Sequence, residues 1–130
     1  MQYVAGGLGA TVTVAGTTTV SGTSVGYIQM DFGGAAVDKV SIFQTTNFTT
    51  TSPYYGLVDF GYGSSVKNNQ FRISGNFSHS GTGTFTTSAT VVRGGFFFNG
   101  SGNTQTFYYS GTNSDWTLYT VNSGAYVQML

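Results

Sequence analysis

The 130-residue chain has no cysteine, no glutamate, one proline, one tryptophan and one histidine, and only 6% of its residues are charged, against about 25% in an average soluble domain. Each shortage excludes something. Without cysteine there is no disulfide and no thiolate metal site, so stability rests on packing and hydrogen bonds. With a single imidazole, His79, a zinc site has too few ligands and a Ser-His-Asp triad would need that one residue beside one of only four aspartates. Those aspartates, Asp31, Asp38, Asp59 and Asp115, show no spacing that suggests a paired-carboxylate glycosidase. A calcium ligand at Asp115 beside Asn113 reads instead as an Asx turn. No catalytic residue, cofactor or metal is therefore expected, and the chain is read as a non-enzyme. Lys39, Lys67, Arg72 and Arg93 are the only cations and are scattered, which argues against nucleic acid as a partner. No apolar run approaches the roughly 20 residues of a membrane helix, and the first ten residues lack the basic and apolar regions of a secretory signal, so no membrane partner is expected.

What is abundant is Gly, Ser, Thr and Asn, together 63 residues, and Phe, Tyr and Trp, together 21. Strong helix formers are scarce, while Thr, Val, Tyr and Phe suit a pleated, half-buried surface. Alternation is clearest over residues 70–77, which place Phe71, Ile73 and Phe77 on one face and Arg72, Ser74 and Asn76 on the other. Similar stretches occur at 27–32, 38–44, 54–62, 84–93, 96–98, 104–110, 115–121 and 125–130, and a Thr-rich segment before Pro53 reads as a loop. Asn99 followed by Gly100 is a strong cue for a hairpin between the flanking aromatic strands. The pattern predicts an all-β fold, an antiparallel β-sandwich or jelly-roll-like domain of about eight strands. Residues 27–130 form that domain. Residues 1–26 carry no charge and read as an extended arm or as the first hairpin, with Val12, Val14 and Val20 as the candidate arm-strand residues. The expected core runs through Ile28, Met30, Phe32, Val40, Ile42, Val58, Phe60, Phe71, Ile73, Phe77, Phe96, Phe98, Phe107, Trp116 and Leu118.

Adjacent aromatics in a strand point to opposite faces, so one of Tyr54 and Tyr55, and one of Tyr108 and Tyr109, faces outward. Together with Trp116 they are candidates for a subunit interface or for stacking on sugar rings. Three glycosylation triplets, at Asn47, Asn76 and Asn99, are expected from a chain so rich in Asn and Thr and are read as silent.

In composition and layout across its whole length, though in no residue motif, the chain resembles small virion proteins of tailed bacteriophages: head decoration or cement proteins and the β-sandwich modules of tails and fibres. That resemblance implies a structural virion protein, assembled in the host cytoplasm, that stabilises a protein lattice. Its partners would be copies of itself, as a trimer or another homo-oligomer, and a major capsid or other virion protein. Removing residues 1–24 is then expected to leave a folded domain unable to assemble. Two further readings are a glycan- or receptor-binding module of a tail or fibre, and a donor-strand-exchanged subunit of an extracellular filament or cell surface.

Overall fold

A computed structural model describes residues 11–21, 28–29, 42–51, 58–59, 69–81, 85–86, 95–110 and 118–130. Every element in it is a strand: β1 (Thr11–Val20), β2 (Ile28–Gln29), β3 (Ile42–Thr50), β4 (Val58–Asp59), β5 (Gln70–Ile73), β6 (Phe77–His79), β7 (Phe85–Thr86), β8 (Gly95–Phe98), β9 (Thr104–Tyr109), β10 (Leu118–Val121) and β11 (Tyr126–Met129). Every described pairing is parallel.

Registry shows how the chain winds. Thr11 pairs with Ile42, Ile42 with Gln70, Gln70 with Gly95 and Gly95 with Leu118, so each coil advances the sequence by 31, 28, 25 and 23 residues in turn. Parallel neighbours need long return connections, and these supply β2, β4 and β7, which stack on one another as a second, three-stranded parallel sheet. Within a coil the chain bends. The first half of β3 pairs with β5 and its second half with β6; β8 and β10 continue the first branch, β9 and β11 the second. The eight strands thus form one all-parallel sheet, curled into a nearly closed, barrel-like wall. The architecture is a stack of parallel β coils, and the expected antiparallel sandwich with an extended arm is incorrect.

Alternating side chains fill this wall with phenylalanine. Phe43, Phe48, Phe71, Ile73, Phe77, Phe96, Phe98 and Phe107 form the buried core. Because the sheet is parallel and in register, like residues lie over like: Phe43, Phe71 and Phe96 form one inward column, with centroids 4.8 and 5.1 Å apart, and Phe48, Phe77 and Phe107 a second, at 5.6 and 4.6 Å. Phe48 and Phe71 meet across the bend at 4.9 Å, so both branches share one core. These separations lie within the range where aromatic pairs attract beyond their buried area.

The bends are held by polar side chains. Asn47 Oδ1 accepts from the Asn76 backbone N–H at 2.8 Å, and Asn76 Oδ1 accepts from the Thr106 N–H at 2.9 Å, tying three consecutive coils at one corner. One coil earlier, the buried Thr18 hydroxyl donates to Thr45 Oγ1 at 2.9 Å.

Several expectations change with this geometry. The segment read as an arm contains β1, paired along its length with β3 of the same chain, and Val12, Val14 and Val20 pack against the core. The boundary at residues 26 and 27 lies outside the described residues. Asn99 and Gly100 do not turn a hairpin, because β8 is already flanked by β5 and β10, and β9 by β6 and β11; residues 99–103 are instead a corner between two strands of one coil. The Thr-rich loop is the second half of β3 and buries Phe48, which sequence reasoning missed, and in the same strand Phe43 rather than Ile42 faces fully inward. Met30, Phe32, Val40, Phe60 and Trp116 lie outside the described residues, as do the side chains of Ile28, Val58 and Leu118.

Candidate functional site at the open coil end

The last described coil has neighbours on one side only. β10 pairs with β8 and β11 with β9, and among the described residues neither has a second partner. Their outer edges present strand backbone, and large apolar side chains are exposed along them: Tyr126 is 67% exposed, Met129 70% and Val121 53%. Between the two branches lies a 460 Å³ hollow, with Phe98 and Phe107 of the preceding coil at its base and Tyr109, Tyr119, Val121, Val127 and Met129 around it. Tyr119 stacks on Phe96 at 5.7 Å with an interplanar angle of 16°, and meets Phe107 edge-on at 5.3 Å, so the aromatic core continues to the surface here. Residues 118–130 contain no ionisable side chain other than tyrosine hydroxyls.

The opposite end of the stack is β1, which among the described residues pairs with β3 alone. It is also free of charge, and its valines Val12 and Val14 head the same columns that end in Tyr119 and Val121. An uncharged strand edge without an inward lysine or a proline is the kind of edge that accepts another strand.

The aromatic candidates separate. Tyr108 is on the outer face and 40% exposed, whereas Tyr109 turns inward, stacked on Phe107 at 6.3 Å and lining the hollow. Tyr54, Tyr55 and Trp116 lie outside the described residues. Val121 and Met129, which line the hollow, were not singled out from the sequence, because only the coil register places them at an uncovered end.

His79 is fully buried in β6 with its ring 4.9 Å from that of Tyr109, so it is a core residue and not the turn histidine its Gly/Ser surroundings suggest. No group of three metal-ligating side chains occurs among the described residues. No family model matches the chain, and no curated protein or solved structure is significantly similar to it.

Proposed function

We propose that this protein is a structural subunit that works through contact area, joining a second copy of itself end to end at the open coil. The observation that carries the reading is the apolar hollow and free strand edges of β10 and β11, facing away from the stack, while β1 offers an equally uncharged edge at the other end. With a second copy in register, Tyr119 would lie over Val12, Val121 over Val14 and Met129 over Thr18, which extends the existing columns by one step. Such a contact joins two different surfaces, so it propagates along an axis unless its rotation closes a ring or another protein terminates it. This agrees with the structural virion role that the composition suggests, and a filament is its simplest free form.

The test is light scattering coupled to size-exclusion chromatography over a concentration series, with electron microscopy of the largest species. Association that rises with concentration into rods or rings is expected, and in the Tyr126→Lys, Met129→Lys double variant it should disappear while far-UV circular dichroism is unchanged. A wild-type protein that stays monomeric at every concentration, or a double variant that assembles as well as wild type, overturns the reading.

A further inference from the structure

A second surface differs in character from the apolar end. Along the outer face of the first branch, register places Thr13, Gln44, Arg72 and Phe97 in one column, one residue from each of four consecutive coils. At about 4.8 Å per coil the column is about 14 Å long. Beside it, at the bend, is a 240 Å³ groove lined by Thr13, Gln44 and Arg72 of the column together with Ser74 and Asn99.

Arg72 is one of only two charged residues in the described segments, the other being Asp59. Its Nε donates to Gln70 Oε1 at 2.8 Å, which fixes the guanidinium plane, and among the described residues no other side chain bonds to it. The two terminal nitrogens remain to form the fork that matches a carboxylate. One coil back, Gln44 Nε2 donates to Thr13 Oγ1 at 2.7 Å, which leaves the Gln44 carbonyl oxygen as an acceptor at the groove. One coil on, Phe97 is half-buried between the inward Phe96 and Phe98 and so stands on the outer face.

The geometry points to this column and groove as a binding site for an acidic oligosaccharide, with a sugar carboxylate on Arg72, sugar hydroxyls on Gln44, Ser74 and Asn99, and a ring face against Phe97. One cation among uncharged hydroxyl and amide groups matches a ligand with one negative charge per several hydroxyls. It does not match a nucleic acid, whose closely spaced phosphates need several cations. An aromatic ring adjoining hydrogen-bonding groups suits a sugar, which is apolar on its ring face and polar at its rim.

Isothermal titration of the purified chain with sialyllactose tests this, with its methyl ester, lactose and acetate as controls. Saturable binding of sialyllactose is expected, weakened about tenfold or more on esterification. Arg72→Gln and Phe97→Ala should each weaken it similarly. So should Gln44→Glu, because a carboxylate one coil from Arg72 would occupy the guanidinium from within. Circular dichroism of each variant establishes that the fold is retained. The Tyr126→Lys, Met129→Lys variant should bind as wild type, which separates this site from end-to-end assembly. Absence of saturable binding of sialyllactose overturns the proposal. So does binding unchanged by Arg72→Gln, binding of the ester or lactose as tight as that of the acid, or acetate binding as tightly as the trisaccharide.

Discussion

Gln105 is buried, and each polar atom of its amide is used: Oε1 accepts from the Gly100 N–H at 2.9 Å, and Nε2 donates to the carbonyl oxygens of Ile73, at 3.0 Å, and Gly75. One side chain therefore fastens the corner of its own coil to the corner of the coil before. Gln105→Leu keeps the volume and strands two backbone groups, the Gly100 N–H and the Gly75 carbonyl, while the Ile73 carbonyl keeps its bond from the Asn99 N–H, so a loss of about 3 kcal/mol is expected in urea unfolding. Glycines at the corners divide sharply by their surroundings. A Cβ at Gly100 would collide with the Ser74 carbonyl oxygen and the Gln105 side chain, whereas one at Gly16 would meet nothing within 4 Å. Gly100→Ala should thus cost about 2 kcal/mol or more, and Gly16→Ala should raise stability by about 0.5 kcal/mol through the unfolded chain. The same denaturation series measures both, and equal effects would contradict the corner geometry.

At the scale of elements, the strand is the unit that sequence reasoning reads well and the pairing is the unit it reads badly. The 70–77 stretch showed its inward set, Phe71, Ile73 and Phe77, and all three are buried. Alternation with period two is a property of a single strand, however, and is the same whether the neighbour runs parallel or antiparallel. What signals the neighbour here is recurrence: Asn47, Phe48 and Thr49 are repeated as Asn76, Phe77 and Ser78, 29 residues on, the length of a coil. Those triplets, which look like chance glycosylation signals, mark the corner where Asn47 and Asn76 bond to the next coil and where the second phenylalanine column begins. Because Phe77 meets the ring of Phe48 in the coil before and those of Phe96, Phe98 and Phe107 in the coil after, Phe77→Ala should cost about 3–5 kcal/mol. Phe97→Ala, on the outer face, should cost about 1 kcal/mol. Thermal denaturation of the pair checks the assignment of faces.

For the whole molecule, the stack makes its two ends unlike its middle. Inner coils cover each other, while β1 and the β10–β11 coil each have one face with no described neighbour. β1 covers one side of β3 and closes over Thr45 through Thr18, so it is part of the folded body. Removal of residues 1–20 should therefore lower stability and promote aggregation by baring the β3 edge and the flank of Phe43 and Phe48. A folded monomer as stable as the full chain, by denaturation and light scattering, would show that β1 does not cover the core. Assembly through the uncharged ends should also be indifferent to ionic strength, since there are no ion pairs to screen. Light scattering at low and at high sodium chloride checks this, and dissociation by salt would locate the contact elsewhere.

Composition alone determined that the chain is made of strands, because Thr, Val, Phe and Tyr in alternation leave no stripe on which a helix could pack. It also determined that the surface is almost uncharged. Only the tertiary structure decided that the strands lie parallel in stacked coils, that Thr11–Val20 is a strand of the same sheet, and which apolar residues remain at an uncovered end. The physical reason is that alternation fixes which way a side chain faces. Which strand lies beside it, and in what register, is set by contacts between residues about 22 to 31 positions apart, and no local pattern records them.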